Sequence, residues 1–153
     1  MDYSYIKSYT KEELIQELFN SSINFFDSHE MEIVKEIITN GLLTNSSHMV
    51  INERLCQINS RIKDKSMLLS KTYVKAFQRI QHFQKSLLGG VVWFEYVGNL
   101  YFTNCKICSN LLDKHFHINE ILEMRNGIIE PVLFFGGGFE CPHMWEADPL
   151  YRV

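Results

Sequence analysis

The feature that most restricts what this chain can fold into is the crowding of its soft metal-binding side chains into one stretch. Three of the four cysteines and three of the six histidines lie between Cys105 and Trp145. The stretch opens with Cys105-Lys106-Ile107-Cys108, passes His115 and His117, and closes on Gly136-Gly137-Gly138-Phe139-Glu140-Cys141-Pro142-His143-Met144-Trp145. A Cys-x-x-Cys on a tight turn sets two sulfurs at about one edge of a zinc tetrahedron, and Cys141-Pro142-His143 offers a thiolate and an imidazole to complete it. The set Cys105, Cys108, Cys141 and His143 is therefore expected to form a structural Zn2+ site. Buried free thiols or a redox pair are the competing readings, because a Cys-x-x-Cys alone is weak evidence. His115 and His117 alternate about Phe116 in a segment expected to be extended, which puts both rings on one face. They are reserve ligands or supports for a ligand, although surface histidines are the commoner case.

The glycine run Gly136-Gly137-Gly138 lacks the Lys-Ser/Thr of a phosphate-binding loop and the helix-opening context of a dinucleotide fingerprint. It is expected to let the backbone turn sharply so that Cys141 faces the metal. Glu120, Glu123, Glu130, Glu140 and Glu146 flank the stretch, and one of them beside an open zinc would be a general base. Four good ligands leave no open position, and neither a His-Glu-x-x-His nor a deaminase signature is present. The expectation is a protein that is not an enzyme.

With 153 residues the chain can build one ordinary domain, or a small helical region with a metal-stapled appendage. The second is expected: an α+β chain with a helical region over 1–90 and a zinc-binding module over 91–153. In the first part, Thr10 and Glu13 form a capping box ahead of Leu14, Ile15, Leu18 and Phe19. Asp27 and Glu30 repeat it before Met31, Val34, Ile37 and Ile38, with a stop at Asn40-Gly41. A third helix is read from Val50, Ile51, Leu55, Ile58 and Ile62, with Cys56 a half-buried hydrophobe. In a fourth, Leu69, Tyr73, Ala76, Phe77, Ile80, Phe83, Leu87 and Leu88 form a stripe with Lys75, Arg79 and Lys85 outside it. After Gly89-Gly90, the runs Val91 to Val97 and Leu100 to Thr103 read as a hairpin turning at Gly98-Asn99. Its aromatics, Trp93, Phe94, Tyr96, Tyr101 and Phe102, are read as core rather than as a base-stacking platform. A short helix over Ile118 to Met124 and a strand over Ile128 to Phe135 complete the reading.

Charge and hydropathy narrow the partners. A net charge of -3 and a pI near 6.1 give no electrostatic reason to expect nucleic acid. No apolar run approaches a membrane span, and the residues from Met1 do not read as an export signal. A soluble chain with reduced thiols is expected, which favours metal over disulfides.

The order of features from Trp93 to Trp145 resembles the C-terminal portion of the head-morphogenesis, or minor head, proteins of tailed bacteriophages, a family related to the minor head protein of phage Mu. There, an aromatic strand and turn lead to a Cys, a Leu-x-Gly/Asp-Lys-x-Phe step, a short acidic helix, a Gly-Gly-aromatic turn and a Cys-x-His. The corresponding pieces here are Phe94-Glu95-Tyr96-Val97-Gly98, Cys105 to Cys108, Leu111-Leu112-Asp113-Lys114-His115-Phe116, Asn119-Glu120-Ile121 and Gly136 to Trp145. Thr103 and Asn104 stand where an arginine is common, and Cys-Pro-His replaces Cys-Arg-His. The resemblance implies a structural virion protein acting near the portal or packaged in the head. Portal or capsid proteins would be its partners, and it would pass through the host cytoplasm during assembly. The alternative is a regulatory nucleic-acid-binding zinc module, which the few cations after residue 90 (Lys106, Lys114, Arg125, Arg152) disfavour. A metal-dependent hydrolase using His115 or His117 as base is a third class.

Overall fold

The computed structural model describes residues 4–22, 30–99, 105–148 and 150. A 3-10 helix over Ser4–Ser8 precedes α1 (Lys11–Ser21), which begins as expected: the Thr10 hydroxyl accepts from the Glu13 N–H, and the Glu13 carboxylate accepts from the Thr10 N–H. Helix α2 (Met31–Leu43) departs from its expected ends. Glu30 makes no side-chain cap, and Asp27 lies outside the described residues. The helix also runs through Asn40-Gly41 instead of stopping there, and ends at Thr44, whose hydroxyl donates to the Asn40 carbonyl. Gly41 serves packing: a Cβ on it would lie 2.5 Å from Cγ1 of Ile51, so its absence is what lets α2 and α3 (His48–Cys56) approach.

The apolar run read as a third helix through Ile62 divides at Gln57. The side chain of Asn59 accepts from the Ile62 N–H and starts a new helix, α4 (Ser60–Leu88). This helix of 29 residues is the spine of the fold. Leu69, Tyr73, Ala76, Phe77, Ile80, Phe83 and Leu87 are buried along it as the stripe requires, whereas Leu88 is exposed. Arg79, expected on the outer face, is buried. With Thr72 and Ser86 it forms a buried polar line, one residue every seven, beside the apolar stripe.

Beyond α4, strand β1 (Trp93–Val97) is the middle of a three-stranded antiparallel sheet. It pairs with β2 (His115–His117), Phe94 opposite Phe116, and with β3 (Met144–Ala147), Tyr96 opposite Trp145. The second hairpin strand expected over Leu100 to Thr103 lies outside the described residues. Helix α5 (Lys106–Leu111) follows Cys105, and α6 (Ile118–Glu123) appears where a short helix was expected. The strand expected over Ile128 to Phe135 is not formed. Asn126 Oδ1 accepts from the Ile128 and Ile129 N–H groups to make a turn, and Pro131 then starts α7 (Val132–Phe135). Val132, Leu133, Phe134 and Phe135 are all buried, which one helical turn against α4 and α6 achieves and a strand with an exposed face does not.

The chain is thus a mixed α+β structure with one connected cluster of buried side chains, from Ile6 to Trp145. α4 joins its two ends. Tyr73 stacks on Phe19 of α1 at 4.9 Å and meets Phe135 of α7 edge-on at 5.9 Å, while Phe83 packs on Phe94 of β1 at 5.3 Å.

Candidate metal centre

Three short segments converge on one point. The first is the start of α5, where Cys105 occupies the N-cap position and Cys108 lies one turn in. The second is the link from α7 to β3. Gly136 and Gly138 take positive φ values of 59° and 130° there, as the glycine run was expected to do, and the chain returns to deliver Cys141 and then His143 immediately before β3. The third is β1 itself, whose Tyr96 points inward.

Cys108, Cys141 and His143 form a buried group whose ligand atoms all lie within 4.8 Å of one another. The Sγ atoms of Cys108 and Cys141 are 3.7 Å apart, and Cys141 Sγ is 3.6 Å from Nδ1 of His143. Zinc bonds of ~2.3 Å to sulfur and ~2.0 Å to nitrogen give tetrahedral edges of about 3.8 and 3.5 Å, so these two spacings match two edges of a site that could hold one ion. Cys105, the fourth expected ligand, lies outside this group: it is half-buried, with Sγ 3.5 Å from the Gly137 carbonyl. A Cβ on Gly137 would lie 2.6 Å from Cys105 Sγ and 2.2 Å from Cys108 Sγ, so both sulfurs close on that bare α-carbon.

The surroundings hold the ligands in place. The Tyr96 hydroxyl lies 3.2 Å from Cys141 Sγ and 3.5 Å from Cys108 Sγ, and its ring stacks on His143. Gly98 leaves room for the His143 ring, since a Cβ there would lie 2.1 Å from Cδ2. The Nε2 of His143 is buried without a partner among the described residues, which leaves Nδ1 as the nitrogen turned to sulfur. Arg79 reaches over from α4: Nε donates to the His143 carbonyl at 2.8 Å, Nη1 to that of Phe134 at 3.0 Å, and Nη2 to that of Cys141. Two turns earlier on the same line of α4, Thr72 Oγ1 accepts from the Glu140 N–H at 3.0 Å.

In the metal-free chain the paired sulfurs share a proton. The hydrogen bond between Cys108 and Cys141, helped by the Arg79 guanidinium and the Tyr96 hydroxyl, outweighs burial and pulls Cys141 down to about 3. The same bond, with burial, pushes Cys108 well above the usual thiol range. Burial, followed by the neighbouring sulfurs, raises the Tyr96 hydroxyl, so it stays a donor. Burial lowers Arg79, and Cys141, Tyr96 and Cys108 oppose that shift. The pocket is one where negative sulfur is stabilised.

The reserve histidines lie elsewhere. His115 pairs with Asp148 through Nδ1 and Oδ2 at 2.5 Å. His117 caps α6, its Nδ1 accepting from the Asn119 N–H while Glu120 accepts from its own N–H. Cys56 sits beside Ser66, where Sγ is 3.1 Å from Oγ. Of the flanking acids, Glu140 pairs with Lys71 and Glu130 with Arg125. Sequence reasoning missed Arg79 and Tyr96. The signal for Arg79 was its place seven residues from both Thr72 and Ser86, against the edge of the stripe.

No protein-family model, curated protein or solved structure matches the chain. Among the described residues, no helix is long and apolar enough to cross a membrane. Fold and site together define an α+β chain with a buried cysteine–histidine cluster of metal-ligating geometry.

Proposed function

We propose that the protein is a structural component whose cluster holds one zinc ion through Cys105, Cys108, Cys141 and His143. The observation that carries this reading is the spacing of the two sulfurs and the imidazole nitrogen, 3.7 and 3.6 Å, at the edges of a zinc tetrahedron. Zinc is favoured over harder divalent ions because the donors are thiolate and imidazole and the ligand group contains no carboxylate. Cys105, whose sulfur closes on the same face of Gly137 as that of Cys108, would move in to complete the set, and a four-ligand site leaves no position for substrate. Its role is then to lock α5, the α7–β3 link and β1 into one rigid surface.

That surface would serve assembly. The order of residues from Trp93 to Trp145 resembles that of phage minor head proteins, and on that ground the chain is proposed as a head-associated virion protein that docks to portal or capsid subunits. The acidic balance of the chain supports a protein partner over nucleic acid.

Elemental analysis of purified protein tests the metal. About one zinc per chain is expected in the wild type and in His115→Ala and His117→Ala, and markedly less in Cys141→Ser. Well-folded protein without metal would refute the reading. For the assembly role, the chain is expected to co-sediment with portal or capsid assemblies of its own phage, and absence from purified virions would remove it.

A further inference from the structure

Arg79 is only 2 % exposed, and no carboxylate pairs with it among the described residues. Its hydrogen bonds go to three backbone carbonyls, which satisfy donors but carry no net charge. A buried cation without a counter-ion is costly, so the charge needs an anion nearby. The groups that face it are sulfurs and a hydroxyl. A Cβ on Gly136 would lie 3.3 Å from Arg79 Nη2, 2.8 Å from Cys141 Sγ and 2.9 Å from Tyr96 Oη, so all three gather around one bare α-carbon.

The net charge of the metal centre depends on how many thiolates it has. A divalent ion with two thiolates and a neutral imidazole is neutral and leaves Arg79 unbalanced. With three thiolates it carries one negative charge, which matches the single positive charge of the guanidinium. Cys105 is the only further cysteine at the site, since Cys56 lies on α3 beside Ser66. We propose that Arg79 is the built-in countercharge and positioning residue of this centre, setting its composition at three thiolates, Cys105 included, and one imidazole around a divalent ion.

The inference rests on the metal reading above and adds two claims to it. Arg79 acts through charge as well as through the carbonyls it holds, and its effect is coupled to Cys105, which none of its three hydrogen bonds to carbonyls reaches. Both follow from the long-range nature of a charge in a poorly solvated interior.

A double-mutant cycle separates these claims from a purely structural role. Zinc affinity is measured by competition with a chromophoric chelator, and thiolate ligation by the charge-transfer absorption of the cobalt-substituted protein. The proteins are wild type, Arg79→Gln, Arg79→Lys, Cys105→Ser and the Arg79→Gln/Cys105→Ser double variant. Arg79→Gln is expected to weaken zinc binding by about 10- to 100-fold, the range for a residue that supports ligands from behind. Arg79→Lys, which keeps the charge and loses part of the fork, should recover most of that. The double variant should lose clearly less than the product of the single losses, because one positive and one negative charge leave together. Multiplicative losses, or wild-type affinity in Arg79→Gln, would overturn the inference while leaving the zinc reading in place. Wild type without zinc would overturn both. Should Arg79→Gln fail to fold, Arg79→Lys decides. Zinc affinity within about tenfold of wild type supports the countercharge, and a loss as large as that of Cys105→Ser overturns it.

Discussion

Gly137→Ala is the sharpest probe of the site, because it adds one methyl group at a position where the structure fixes what that group must meet. The new Cβ would lie 2.2 Å from Cys108 Sγ and 2.6 Å from Cys105 Sγ. Ordinary contact needs about 3.5–4.0 Å, so at least one sulfur or the α7–β3 link must move by about 1 Å or more. Metal–ligand distances tolerate only ~0.2 Å, so such a shift cannot be absorbed within the coordination sphere. Overpacking of this kind costs about 1–3 kcal/mol. Felt at the metal, that is a loss of roughly 5- to 150-fold in zinc affinity. Gly137 is not in the left-handed region, so alanine adds no backbone strain there and the effect reads the sulfurs alone. Gly127→Ala is the control. Its φ is +73° with nothing within 4 Å, so it should lower stability by about 1–2 kcal/mol and leave zinc affinity unchanged. Chelator competition gives the affinities and urea unfolding the stabilities. Gly137→Ala binding zinc within twofold of wild type would show that the two sulfurs do not close on that α-carbon.

Two further outcomes are expected. Tyr96→Phe removes the hydroxyl beside both buried sulfurs and should destabilise the protein by ~1.5–3 kcal/mol, the range for a hydrogen bond to a charged group, in denaturant unfolding; an effect below ~0.5 kcal/mol would count against a donor role. Without metal, stability should rise with pH across the window from about 3 to the unperturbed thiol value of 9.0. There the unfolded chain holds protons on both Cys108 and Cys141, whereas the folded pair holds one, so protonation favours unfolding. Above that window the raised Cys108 reverses the trend. Urea midpoints of chelator-treated protein across pH check the sign, and a flat profile in Cys141→Ser checks its origin.

Much of this architecture is legible in the residues because local rules and global packing agree. The Thr10–Glu13 box starts α1, and the α4 stripe is buried apart from Leu88. Of the four residues read as ligands from their spacing, Cys108, Cys141 and His143 come together in one buried group, and Cys105 lies outside it. The misreadings occur where a short signal has two meanings. Gly41 has the composition of a helix stop, yet it is a contact point, and only the position of Ile51 decides. The run from Ile128 to Phe135 is apolar enough for a buried strand or a buried helical turn, and Pro131 settles it by starting a helix. Strands β2 and β3 have three and four residues, too few for a period to declare itself. Arg79 escaped because a cation beside an apolar stripe is ordinarily solvated, and its partners come from backbone some sixty positions away.

The half-buried state of Cys105 has a kinetic meaning. Cys108, Cys141 and His143 are sealed from solvent, whereas Cys105 borders an open cleft of about 610 Å³ lined by Lys106, Ile107, Asn110, Ile128 and Phe139. Were an ion held by all four, as proposed, the cleft beside Cys105 would be its approach among the described residues. Exchange would then begin with release of the Cys105 sulfur toward the cleft, and its speed would be set by what can crowd into that opening. Bulk at Ile128 or Phe139 would act as a doorstop, changing how fast the ion is exchanged while leaving the strength of its binding untouched.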